Sequence, residues 1–195
     1  MSTSARQLAC SLTATLLQRV ARSGGDDAVE RVLAASGSDH SAAYLNDPSN
    51  WVSYDEGVAI FGAAIEVTGD RQIARAAGED TVRQHAGTAV ATVLRSLGSP
   101  EAILEQVTTA VTKFSVVTEM EPLEVQPGRA SVRARARPGF SRHRYMCEWT
   151  KGLLSQPTVL FGLPPAAVEE TECQALGGAQ CLYEIRWNAA EAAGA

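Results

Sequence analysis

The stretch Cys147–Cys181, CEWTKGLLSQPTVLFGLPPAAVEETECQALGGAQC, decides the reading of this chain. It holds three of the four cysteines of the 195-residue sequence. Cys173 and Cys181 bracket Gly177-Gly178, a dipeptide that turns hairpins. Glu170 stands three residues before Cys173. Thiolates and a carboxylate are zinc ligands, and four of them close a tetrahedral structural site. In that geometry Glu170 and Cys173 sit on the approach to a hairpin and Cys181 on its return arm. Cys147 then comes from a preceding helix and pins it to the sheet. The spacing is equally compatible with small buried residues, or with a Cys173–Cys181 disulfide across the hairpin. The local C-x2-C pairs that mark zinc sites most strongly are absent.

Upstream of this stretch the chain reads as helices followed by strands. Leu8, Leu12, Leu16 and Val20 recur in steps of four between Ser4 and Arg22, and Gly24-Gly25 stops that helix. A second helix is expected from Ala28 to Ala35. Their apolar stripe needs the main domain or a second copy of itself to cover it. Residues 38–53 read as a polar linker carrying the turn signal Asp47-Pro48. Amphipathic helices are expected over Tyr54–Val67, Arg71–Gly78, Ala89–Leu97 and Glu101–Val111, the last capped by Ser99 with Pro100 at its first position.

Strand patterns then take over. Phe114–Met120 is β-branched and apolar, Leu123–Gln126 is short, and Arg129–Arg137 alternates arginine or serine with Ala130, Val132, Ala134 and Ala136. The arginine row reads as a solvated sheet face paired with Glu119, Glu121 and Glu124, rather than as a nucleic-acid surface. The small residues opposite leave space for a packed helix or a ligand. A helix over Ser141–Leu154 places Met146, Trp149 and Leu153 on one face, expected to look at the sheet. With Phe114 they form a candidate apolar ligand pocket. The hairpin Val168–Gln174 and Cys181–Trp187 closes the domain. The expected architecture is α+β: an antiparallel sheet of four or five strands with helices packed on one face, plus an N-terminal helical segment.

Composition narrows the function. The chain is 45% hydrophobic with a net charge of −5, which argues against direct nucleic-acid binding. No apolar run is long enough to span a membrane, and there is no signal-peptide pattern, so a cytoplasmic protein with reduced thiols is expected. Phosphate-binding glycine loops, G-x-S-x-G and H-E-x-x-H are missing, and the candidate zinc ligands would fill the metal's shell, so a non-enzymatic role is expected.

The Cys147–Cys181 stretch resembles the C-terminal half of the vinyl-reductase-like (4-vinyl reductase) small-molecule-binding domains, as in the sensor domains of phenol- and xylene-responsive transcription activators. The likeness rests on Cys147, Lys151-Gly152-Leu153-Leu154, the segment Val168–Cys173, Gly177-Gly178, and Cys181 followed by LYEIRW. It covers about residues 50–188. It implies a structural zinc held by Cys147, Glu170, Cys173 and Cys181, and a ligand-binding domain over residues 51–188. It also implies a regulatory sensor: a small hydrophobic or aromatic molecule bound between sheet and helices, with the signal passed to an attached output domain or a partner protein. Residues 1–50 are then a dimerisation segment and linker giving a homodimer, and residues 189–195 a tail or the start of a signalling helix. Two alternatives stand beside this: an interaction scaffold of the same fold, and a tetrapyrrole-binding protein with His85 or His143 as axial ligand.

Overall fold

A computed structural model describes residues 6–83 and 89–188. The first element among the described residues is not a helix but a two-residue strand, β1 (Leu8–Ala9), paired with β2 (Trp51–Val52). Between them run α1 (Cys10–Ser36) and α2 (Ala42–Asn46). The two helices expected before residue 36 are both present within α1, meeting at a kink at Gly25, whose φ of 71° and ψ of −173° lie outside the helical region. Ser53 caps α3 (Tyr54–Thr68) by accepting from the Glu56 backbone N–H at 3.1 Å. α4 (Ile73–Arg83) runs past the expected end at Gly78.

After residue 88 come three short helices: α5 (Ala89–Arg95), α6 (Pro100–Glu105) and α7 (Val107–Val111). Ser99 caps α6 as its sequence indicated. The single helix expected over 101–111 is divided at Gln106. The strands are β3 (Thr118–Gln126) and β4 (Arg129–Ala136), then, beyond α8 (Arg144–Leu154), β5 (Ala167–Glu172) and β6 (Cys181–Arg186). The two short strands expected between 114 and 126 are one strand with a register shift between Pro122 and Glu124.

The fold is α+β, with four antiparallel strands in the order β3-β4-β6-β5 and helices over one face. Register sets the inner face. Ala130, Val132 and Ala134 of β4 lie opposite Ile185, Tyr183 and Cys181 of β6, and all six are buried. The outer face carries the arginine row. Arg129 pairs with Glu124 at 3.0 Å, Arg137 with Glu119 at 3.3 Å, and Arg133 with Glu121. That face is a solvated ion-pair ladder, in line with its sequence.

α8 divides two cores. Its Met146 and Trp149 join the helical core of α1, α3 and α4. Its Cys147 and Leu154 join the core on the sheet, with Leu104, Val107 and Tyr183. The expectation that Met146, Trp149 and Leu153 face the sheet is therefore corrected. The helix is apolar on two sides because it is packed on two sides. The α1 stripe is covered within the chain. Leu12, Leu16 and Val20 are buried in the core shared with α3 and α4, so the stripe offers no apolar face to a second copy. Asp80 of α4 adds a polar tie by accepting from Arg19 at 2.8 Å and from Arg22.

Contact between α4 and α8 is at backbone distance. A Cβ on Gly78 would overlap the Trp149 carbonyl oxygen, and one on Gly152 would overlap the Arg75 carbonyl oxygen. Neither obstacle is a flexible side chain, so an added methyl must separate the two helices. Gly152→Ala is expected to destabilise the fold by about 1–3 kcal/mol, the usual cost of overpacking. Urea unfolding of the variant against the parent measures it, and an unchanged midpoint would mean that the helices slide apart freely.

Candidate functional site

Two sites lie on the two sides of α8. The first is the cysteine cluster. Cys147 projects from the first turns of α8, Glu170 from β5, Cys173 from the end of that strand's approach to the turn, and Cys181 from the start of β6. Their ligand atoms lie within 4.8 Å of one another. Sγ of Cys147 is 3.6 Å from Sγ of Cys181 and 3.9 Å from Sγ of Cys173. All four cysteines are free thiols, so the Cys173–Cys181 disulfide is not formed. Cys147 and Cys181 are fully buried, while Cys173 and Glu170 are half-buried. Among the described residues this is the one set of side chains arranged to hold a metal ion.

The electrostatics of the cluster follow from burial and from one donor. The Cys147 thiol donates to Cys181, which holds the Cys181 pKa below the ordinary thiol range and raises that of Cys147. The buried Arg142 guanidinium and the Gln174 backbone N–H, 3.3 Å from Cys181 Sγ, also favour the Cys181 thiolate. Burial raises the pKa of Cys173 and of Glu170, whose Oε1 has no hydrogen-bond partner.

The second site is a cavity of about 50 Å³ on the helical side of α8. All four residues named from sequence line it: Phe114, Met146, Trp149 and Leu153. The Phe114 and Trp149 rings meet edge to face with centroids 5.6 Å apart. A second cavity of about 150 Å³ adjoins it and shares Phe114 and Leu153. Its remaining wall comes from Thr81 and Val82 of α4 and from apolar side chains of α5, α6 and the following segments, among them Leu94, Ile103, Leu104 and Leu160.

Sequence reasoning missed the polar end of the first cavity. Arg142, Thr118 and Thr150 line it. Arg142 is 7% exposed and donates to Thr118 Oγ1 at 3.0 Å, Thr150 Oγ1 at 3.3 Å and the Tyr183 hydroxyl at 3.4 Å. In sequence it sits in the basic run SRHR, two residues before α8, where nothing separates it from a surface arginine. The second cavity was also unread, because its wall is assembled from segments distant in sequence.

Comparison with known proteins identifies the fold. No family model matches the chain, and no curated protein matches it. Solved structures do. The fold is that of the H-NOX domains. Similar structures include the Fe(II) unliganded H-NOX protein from K. algicida, with TM-score 0.72 and 11% identity over 93% of this chain and 97% of that one. An oxygen-binding H-NOX domain related to soluble guanylate cyclases, solved as its oxygen complex, gives TM-score 0.62 and 16% identity over 90% of this chain and 93% of that one. A structure from work on haem distortion in the H-NOX family gives TM-score 0.63 and 18% identity over 91% of this chain and 93% of that one.

These findings correct two expectations. The neighbours are H-NOX domains and not vinyl-reductase-like domains, and their likeness runs through the N-terminal helices as well as the sheet. The residues behind the earlier resemblance cover the hairpin and α8, a part of the fold too small to identify a family. The expected cofactor is corrected with it. The H-NOX neighbours are haem proteins, and three thiols with one carboxylate do not by themselves establish a structural zinc.

The haem implied by that fold finds no histidine ligand at either cavity among the described residues. His143 caps α8 by accepting from the Tyr145 N–H, and His40 pairs with Glu56 at 2.7 Å. His85 lies outside the described residues. Both cavities are below the roughly 300 Å³ at which pockets for organic cofactors begin.

Thiol reactivity reports the cluster's burial directly. With a water-soluble disulfide reagent, one thiol, Cys173, is expected to react in the folded protein. Cys10, Cys147 and Cys181 should react only on unfolding. Peptide mapping after partial labelling checks the order, and early modification of Cys181 would mean that the hairpin opens in solution.

Proposed function

We propose that this chain is a sensor domain, which binds a small ligand beside α8 and passes the resulting shift to a partner protein or an attached output domain. The observation that carries the reading is the pair of adjoining cavities beside α8, the first walled by Phe114, Met146, Trp149 and Leu153 and the second sharing Phe114 and Leu153 with it. A ligand there touches α8. That helix joins both cores and reaches the cysteine cluster, so displacing it moves the β5–β6 hairpin. In this reading Cys147, Glu170, Cys173 and Cys181 form the clasp that ties α8 to the hairpin.

Two ligand classes have support. A small hydrophobic molecule matches the cavity volumes, since about 150 Å³ of apolar space is enough for a benzene-sized body. A tetrapyrrole is favoured by the H-NOX neighbours, with their haem and their oxygen complex. It requires the α4–α5 side to open well beyond the described cavities, and His85 in the connecting segment is its candidate ligand. No described helix is long and apolar enough to cross a membrane.

Absorbance and native mass spectrometry of the purified protein separate the classes. A Soret band that is lost in His85→Ala supports the tetrapyrrole. A retained small organic molecule without a Soret band supports the small-ligand sensor. If neither is present, and calorimetry with added apolar compounds shows no binding, the domain is an assembly scaffold and the sensor reading fails.

A further inference from the structure

The larger cavity, of about 150 Å³, is closed by side chains of several helices, among them Val82, Leu94, Leu104 and Leu160, with Phe114 and Leu153 where it adjoins the smaller one. Among its described lining residues only Thr81 carries a polar side chain. That hydroxyl donates to the Ala77 carbonyl oxygen at 3.0 Å, so its hydrogen is used within α4. No charged residue lines this cavity among those described. Leu94, Ile103, Phe114 and Leu153 are half-buried, which gives a small molecule a way in between them.

Such a wall selects by chemistry. A ligand bearing a hydroxyl or a charge gives up its hydrogen bonds to water on entry and receives none in exchange. Water meets the same wall and yields to an apolar body. A hydrocarbon has no hydrogen bond to lose, and burial of its surface is favourable throughout. Apolar space of about 150 Å³ holds a benzene-sized molecule.

The wall also selects by size. Phe114 lines both cavities, and its ring rests edge to face on Trp149 with centroids 5.6 Å apart. Its backbone is fixed on both sides: the N–H donates to the Val111 carbonyl oxygen at 3.0 Å, and the carbonyl accepts from the Ala9 N–H at 2.8 Å. The ring therefore stands as a partition between the two spaces, with Leu153 of α8 beside it in both walls. We infer that the larger cavity is the binding site for a single-ring-sized hydrocarbon with no hydrogen-bonding group, and that Phe114 sets the upper size of that ligand. This rests on the small-ligand reading and names the chemical class of its ligand.

Toluene and phenol, which differ by a methyl against a hydroxyl, test the class by calorimetric titration into the full chain in sealed cells. Toluene is expected to bind more tightly by roughly tenfold or more, the cost of burying an unpaired hydroxyl. Leu94→Trp, which fills the cavity from α5, should abolish toluene binding. Naphthalene, with two rings, should fail to bind the parent and should bind Phe114→Ala, in which the two cavities join. Leu153→Ala carries the size test if Phe114→Ala does not fold. Phenol binding as tightly as toluene would overturn the hydrocarbon class and leave the small-ligand sensor standing. Toluene affinity that is unchanged in folded Leu94→Trp would place the ligand elsewhere and overturn the site. Naphthalene binding to the parent as tightly as toluene, or to neither folded variant, would overturn the role of Phe114. Binding of neither toluene nor phenol would remove this site and the small-ligand reading together.

Discussion

Everything at the centre of this molecule depends on how closely α8 approaches α4. Gly78 and Gly152 let the two helices meet backbone to backbone, each presenting no side chain where the other presents a carbonyl. That approach sets α8 deep in the fold, with one side in the helical core and the other on the sheet. A helix held at ordinary separation would leave a gap on one side or the other, and a gap of that kind costs packing energy along its whole length.

The two candidate sites are consequences of this placement. Because α8 is buried on both sides, its helical period delivers Met146 and Trp149 to one layer and Cys147 to the other. The loop entering α8 is exposed over residues 137–141, and the Arg142 side chain alone is buried beneath it. The hydroxyls of Thr118, Thr150 and Tyr183 come from three different elements and meet only at that guanidinium. Arg142 therefore spans the two sites, lining the first cavity and interacting with Cys181. α8 is the element that the two sites share.

Much of the fold was legible in local patterns. The alternation of β4 named its inner face, Ala130, Val132 and Ala134, and the same residues line up with β6 in the sheet. Ser53 and Ser99 cap the helices they precede. The spacing of Cys147, Glu170, Cys173 and Cys181 anticipated a cluster, because a hairpin with one turn fixes which residues meet across it. The first strand was misread as helix, since Leu8 continues the four-residue step of Leu12 and Leu16. The strand forms because Trp51-Val52 is there to pair with it, a contact more than forty residues away in sequence. The family was misread for a related reason. The matching residues describe a helix and a hairpin, and many folds contain those.

What the sequence by itself determined is most of the longer helices and the strands of the main sheet, the α+β class, the solvated arginine face of the sheet and the convergence of the cysteines. Each follows from periodicity or from spacing within a few dozen residues, where the geometry of a helix or a hairpin leaves little freedom. Only the tertiary structure decided that the N-terminal stripe is covered by α3 and α4, that α8 is packed on two sides, and that a cationic side chain ends beside an apolar cavity. Those outcomes depend on which surfaces find each other across the chain. A residue such as Arg142 reads as solvent-facing until the packing around it closes.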